Sequence, residues 1–209
     1  MPKYKLVIFD SDGTLADTLP WLEIAFNEVA ARHGFSPVAE ADREELRTLS
    51  SRHLLQRLKI PLWRIPTLVA GVRRLMAGNI TEFSLFDGIA DSLRRLHDRG
   101  VTLGIVSSNS SENVRRILGP ENAALIRHYA CGASVFGKAP KLRTVLKASG
   151  IPARQSIYIG DEIRDAEAAR KAGTAYGAVA WGYHSLQTLR TQKAEEYFKE
   201  PKDIGDKLT

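Results

Sequence analysis

The sequence predicts an α/β fold, a doubly wound parallel sheet with a small helical cap inserted after the first strand. Three observations predict it. Short apolar runs alternate with helical stretches over most of the chain, as in a parallel sheet whose strands are buried on both faces. The stretch from 17 to 83 shows helical patterns with no strand among them. Polar and acidic residues follow the carboxyl ends of the predicted strands, where open α/β sheets bind ligands.

The first strand is Leu6-Val7-Ile8-Phe9. Asp17 or Thr18 can cap a helix with Pro20 in its first turn, running to about Arg32 and stopped by His33-Gly34. A second helix is predicted over 41–58, broken by Lys59-Ile60-Pro61. A third runs over 66–77, with Leu68, Val69, Val72, Leu75 and Met76 on one face. After Phe86-Asp87-Gly88 helix and strand alternate. A helix covers 89–99, a strand Val101 to Val106, and helices 112–118 and 141–149, with a short strand around Ala130 to Val135. Ser156 to Ile159 is a strand, Arg164 to Ala172 a helix closed by Gly173, and Ala175 to Ala180 a strand. The tail from Glu195 to Leu208 adds a short strand and a helical turn. Right-handed crossovers then give residues 1–16 and 84–209 as an α/β core and 17–83 as a cap subdomain.

Composition narrows the function classes. The chain has 209 residues, enough for one full domain and a small subdomain, and 44% are hydrophobic, as in ordinary globular proteins. No apolar run approaches a membrane span of about 20 residues. Met1 to Lys5 lead straight into a strand without a secretory signal. Cys131 is the single cysteine, so no internal disulfide is possible and a reducing, cytoplasmic setting is expected. Net charge is +6, but the basic residues are interspersed with acids, as in Arg43-Glu44-Glu45 and Lys193-Ala194-Glu195-Glu196. That is a solvated mixed surface, not a nucleic-acid stripe.

Four segments carry chemistry. Asp10 follows the first strand, and its carboxylate can attack phosphorus. Asp12 can reach the same space to give a proton to a leaving oxygen and take one from water. Gly13 permits the tight turn and Thr14 can hold the loop by hydrogen bonding. Taken alone, Asp-x-Asp-Gly is also a plain turn. Ser107 ends its strand, and with Ser108 beside it offers a hydroxyl and amides to a phosphoryl oxygen, or simply a helix cap. Lys138 can neutralise phosphate and nucleophile, with Lys141 as a rival. Asp161, Glu162 and Asp165 crowd the start of a helix, where acids need water, a capping role or a cation. Mg²⁺ prefers such oxygen ligands. Asp161 and Asp10 with a backbone carbonyl near Asp12 would supply part of its shell, with Glu162 and Asp165 binding through water or orienting the loop. Trp181-Gly182-Tyr183-His184 can pack or form one wall of the site. The five histidines lack metal-ligand spacing, and Cys131 reads as a small buried residue.

In this order the segments resemble the haloacid dehalogenase superfamily of phosphohydrolases, over the whole chain. Asp10-x-Asp12-Gly13-Thr14-Leu15-x-Asp17-Thr18 is similar to its first motif, Ser107 to its second, Lys138 to its third and Gly160-Asp161-Glu162-x-x-Asp165 to its fourth. Phe136 to Ala139, Tyr158 to Glu162 and Ala180-Trp181-Gly182 are most similar to its phosphoglycolate phosphatase-like group. The resemblance implies a Rossmann-like core with a helical cap. It also implies that Asp10 is the nucleophile, Asp12 the acid and base, and Ser107 and Lys138 the phosphate ligands, with Mg²⁺ on Asp10, the Asp12 carbonyl and Asp161. An acid at Asp12 argues against a dehalogenase. The third motif departs from the usual Lys-Pro, since Lys138 is followed by Ala139 and Pro140. Lys138 is chosen over Lys141.

The expected activity is Mg²⁺-dependent hydrolysis of a small phosphorylated metabolite, phosphoglycolate among the candidates. The alternatives are a sugar-phosphate mutase of the same family and a non-catalytic phosphometabolite-binding protein. Neither nucleic acid nor membrane is an expected partner, and the chain is expected as a monomer or homodimer. The cap should close over substrate on hinges at Leu15 to Thr18 and Glu82 to Gly88. Arg47, Ser50, Arg52 and His53 are its candidates for touching an acidic substrate, or form a plain solvated helix face.

Overall fold

The computed structural model describes residues 2–49, 51–79, 82–132 and 137–209, without the side chains of 43, 44, 51, 52, 73, 76 and 77. Its centre is a six-stranded parallel sheet in the order β3-β2-β1-β4-β5-β6. The strands are β1 Leu6–Phe9, β2 Thr102–Val106, β3 His128–Ala130, β4 Ser156–Gly160, β5 Ala175–Val179 and β6 Glu196–Phe198. The order reverses at the β1–β4 pair, which makes that point the expected ligand crevice.

All four residues of β1 are 0% exposed, which explains why the run carries no polar residue. Each such side chain stabilises the fold by about 1.5–3 kcal/mol relative to exposure. Val7, Phe9, Leu103, Ile105, Ile157 and Ile159 fill one face of the sheet, against α5 Ile89–Asp98, α6 Ser111–Leu125 and α10 Lys202–Leu208. Leu6, Ile8, Val106, Tyr158 and Ala178 fill the other, against α7 Ala139–Ser149, α8 Ile163–Ala172 and α9 Leu186–Arg190. The alternation of neighbours between the two lists is the pleat itself.

Between β1 and α5 the chain forms α1 Leu19–His33, α2 Arg43–Leu46, α3 Ser51–Arg57 and α4 Ile65–Gly78. Helices α1, α3 and α4, with the segment after α3, share a separate core built on Ala25, Val29, Leu58, Ile60, Leu68 and Val72. The stretch enters and leaves side by side. Asp17 N–H donates to the Ser84 carbonyl at 3.0 Å, Phe86 N–H donates to Leu15 at 3.0 Å, and Ala16 pairs antiparallel with Leu85.

Several expectations are corrected. The helix expected over 41–58 is interrupted at 47–49, where the Thr48 hydroxyl turns back to the Glu45 carbonyl at 2.6 Å. Val69, expected on the buried face of α4, is 37% exposed, while Leu68 and Val72 are buried. The helix expected to end at 118 resumes after a kink at Gly119-Pro120, because proline cannot continue the preceding turn yet fits a new one. The short strand lies at 128–130, earlier than expected, and 133–135 fall outside the described residues. Helix α9 was not foreseen. Ser185 starts it, its hydroxyl accepting from Thr188 N–H at 3.2 Å. Cys131 is half-buried, not fully buried, and burial raises its thiol pKa.

Candidate active site

Asp10 leaves β1 at the reversal point of the sheet. Its N–H is held by the Ile159 carbonyl of β4 at 2.8 Å, and its Oδ1 accepts from Ser11 N–H at 2.8 Å. Its Oδ2 accepts from the Lys138 ammonium, which also reaches Asp165 Oδ1 at 2.6 Å. All three groups are buried. Lys138 sits at the N-terminus of α7 and Asp165 in the first turn of α8, so two helix starts and one strand end meet at one ammonium.

The electrostatics follow from this crowding. Burial pushes the Asp10 carboxyl up to about 7, although Lys138 opposes the shift. Burial alone would lower Lys138, but Asp10 and Asp165 together hold it above its ordinary value. Asp165 is fixed further by the Tyr158 hydroxyl at 3.1 Å, and its Oδ2 accepts from Glu162 N–H at 3.0 Å, closing the start of α8. Lys141 lies elsewhere. Its ammonium ties the Ser107 carbonyl at 2.7 Å to the Gly132 carbonyl, bracing the loops after β2 and β3.

The turn after Asp10 is tight. Gly13 has φ +74°, which disfavours L side chains, and its N–H closes on the Ala16 carbonyl at 2.9 Å. Asp12 is partly exposed and lies 3.4 Å from the Asn109 amide, with burial raising its pKa. Ser107 is wholly buried, and its hydroxyl accepts from Asn109 N–H at 3.0 Å. Ser108 is half-buried beside it. The loops after β1 and β2 therefore face each other across Asp12 and Asn109.

Asp161, at the end of β4, is clamped. Its Oδ1 accepts from the Thr14 hydroxyl at 2.8 Å and its Oδ2 from Tyr183 N–H at 2.7 Å. Burial, with Glu162 and Asp10 nearby, raises its pKa well above the ordinary value. Gly182 packs so closely that a Cβ there would overlap the Asp161 side chain. The Trp181 indole donates to the Thr14 carbonyl at 3.0 Å, which ties the 181–185 turn to the first loop a second time.

Among the described residues, Asp10, Glu162 and Asp165 offer carboxylate oxygens within 4.8 Å of one another. It shares Asp10 with the expected set of Asp10, the Asp12 carbonyl and Asp161, and the Asp161 carboxylate is engaged by Thr14 and Tyr183. The four carboxylates are hard oxygen donors at one end of the sheet, a set that suits Mg²⁺.

The cap closes one side. A cavity of about 410 Å³ lies between α1, α3 and the Phe86, Trp181 and Tyr183 side chains. Arg47 reaches from the break after α2 to the carbonyls of Gly182 and Tyr183 at 2.9 and 3.0 Å. His53 is exposed on α3, Ser50 lies outside the described residues, and nothing is described of the Arg52 side chain.

Sequence reasoning assigned no role to Asn109, Tyr158 or the Tyr183 amide. Tyr158 did carry a signal, since a hydroxyl in the middle of a buried apolar strand requires a partner. A backbone amide carries none.

The profile described as "Haloacid dehalogenase-like hydrolase" matches residues 7–179. A phosphoglycolate phosphatase of Synechococcus elongatus is 33% identical over 204 residues, covering 97% of this chain and 96% of that protein. Among solved structures, a haloacid dehalogenase-like family hydrolase from Streptococcus pneumoniae superposes with a TM-score of 0.82 at 21% identity, covering 97% of each chain. The protein CbbY from Rhodobacter sphaeroides, solved in complex with phosphate, gives 0.74 at 22% identity, covering 98% of this chain and 99% of that one.

Proposed function

We propose that this chain, which belongs to the haloacid dehalogenase-like hydrolases and is one of the family's phosphatases, hydrolyses small phosphomonoesters through a phosphoryl group carried on Asp10. The observation that carries the reading is the Lys138 ammonium shared by buried Asp10 and Asp165, with Asp12 two residues away. A carboxylate held against an ammonium is ready to meet a phosphate dianion that needs both a nucleophile and charge neutralisation.

Asp10 Oδ forms a bond to phosphorus as the bond from phosphorus to the ester oxygen breaks. Asp12, whose raised pKa favours the protonated acid, gives its proton to the departing oxygen. Water then attacks phosphorus, Asp12 takes back a proton, and the Asp10–phosphorus bond breaks to release inorganic phosphate. Lys138 faces the phosphoryl oxygens, with Ser107 and Ser108 lining the opposite loop. Asp10, the Asp12 carbonyl and Asp161 would hold Mg²⁺, with Glu162 and Asp165 supporting them, and the ion would supply charge neutralisation at the phosphoryl oxygens. Residues 17–83 act as a cap that admits the ester and excludes water. Phosphoglycolate is the first substrate to test, because the Synechococcus elongatus relative carries that name.

The test is phosphate release from a panel of phosphorylated metabolites, with Mg²⁺, with a chelator and with Asp10→Asn. Metal-dependent release that falls by about 10³ or more in Asp10→Asn is expected. Transfer of phosphate back to a sugar phosphate would indicate a mutase. Ligand binding without turnover by folded, Mg²⁺-loaded protein would indicate a binding protein.

A further inference from the structure

The break after α2 meets the 182–185 turn through two contacts in addition to the two from the Arg47 side chain. Ser185 N–H donates to the Arg47 carbonyl at 3.3 Å, and His184 Nε2 lies 3.1 Å from the Leu49 carbonyl. The same turn holds Asp161 from behind. Tyr183 donates its N–H to Asp161 Oδ2 at 2.7 Å, His184 N–H donates to the Asp161 carbonyl at 3.2 Å, and Gly182 packs on the Asp161 side chain. Arg47 thus grips the carbonyls of the very residues that fix a site carboxylate.

We propose that Arg47 is a positioning residue through which closure of the cap sets the orientation of Asp161. With the cap closed, the guanidinium's two donors fix the Gly182 and Tyr183 carbonyls, and the amide plane of Tyr183 is aimed at Asp161 Oδ2. With the cap open, those two bonds are absent and the turn keeps only its links to Asp161 and Thr14. The cation site is therefore best formed when the cap is shut, which couples substrate enclosure to readiness of the metal ligands. A planar two-donor fork is needed for this, and lysine does not supply it.

The inference rests on the phosphatase reading for its purpose, but its test does not. Hydrogen exchange of the 181–185 segment is measured on the full, metal-free chain, for wild type, Arg47→Ala and Arg47→Lys, with folding checked by circular dichroism. Mg²⁺ affinity is measured by calorimetry on the same proteins. Expected are faster exchange in 181–185 with β4 unchanged, and Mg²⁺ binding weaker by about tenfold in Arg47→Ala, as for loss of an outer-sphere support. Arg47→Lys should fall between the two, and decides the matter if the alanine variant does not fold. With any hydrolysed ester, kcat should drop more than KM rises. Unchanged exchange and unchanged Mg²⁺ affinity, with KM alone raised, would make Arg47 a substrate contact and overturn the proposal. Altered exchange and metal affinity in a protein that releases no phosphate would leave the coupling standing while the proposed function fails.

Discussion

The sheet and the cap are held together differently. Every residue of β1 and β4 is buried, and both sheet faces are covered by helices. Among the described residues the cap relies on a smaller core around Ala25, Val29, Leu58, Ile60, Leu68 and Val72, and it exposes Ile24 at 62%, Leu62 at 72% and Trp63 at 73%. Asp10, Asp161, Asp165 and Lys138 all stand on the sheet side. The cap reaches them through Arg47 and the paired linkers. Under the proposed function, chemistry that tolerates little misplacement would stand on the better-buried region, and the part that admits substrate on the more exposed one.

That contrast can be broken in order of expected effect. Phe9→Ala removes a large side chain with 0% exposure from the centre of the sheet and should lower global stability by about 3–5 kcal/mol, read by denaturant unfolding. A loss under about 1 kcal/mol would refute the idea that deeper burial makes the sheet the stiffer region. The second effect comes from pH. In the metal-free chain Asp10 has its pKa raised from 3.8 to about 7. Between these values the folded chain keeps a proton that the unfolded chain has released. This group's contribution is therefore complete below about pH 4 and is lost as pH rises towards 7. Comparing Asp10→Asn with wild type in the presence of a chelator should show the variant gaining relative stability across that window. An unchanged difference would mean that Asp10 is not the strained carboxyl.

In the cap, Leu68→Ala should cost about 2–3 kcal/mol. Hydrogen exchange should show the loss spread over 19–78 while β4 keeps its protection. Equal loss in β4 would join the two regions into one cooperative unit. The smallest effect is expected at Trp63, whose ring is mostly in water with the Arg64 guanidinium 4.7 Å from its centre. Trp63→Ser should change thermal stability by less than about 0.5 kcal/mol.

The same division decides what could be read from the sequence. Continuous apolar runs such as Leu6–Phe9 admit few structures besides a buried strand, and the acids after them fall at the strand ends by necessity. The gathering of Asp10, Lys138, Asp161 and Asp165 at that end of the sheet was legible because their order along the chain fixes the loops they occupy. The cap was read less well. The helical pattern over 41–58 gave no sign of the break at 47–49, because the break is bonded to a turn far along the chain, Tyr183 lying 136 residues beyond Arg47. The different partners of Lys138 and Lys141 also needed three dimensions to see, since the two lie one helical turn apart. The clamp on Asp161 was hidden for a simpler reason, since it is made partly by a main-chain amide and by the absence of a side chain at Gly182.

The side-by-side crossing at Ala16 and Leu85 has a topological consequence. The chain returns to the sheet where it left, so the stretch between these residues is a closed excursion. Every strand pair joins β1, which precedes it, or strands that follow it, and among the described residues none lies inside it. The order and register of the sheet are therefore written in the segments on either side, and the length of the excursion enters neither.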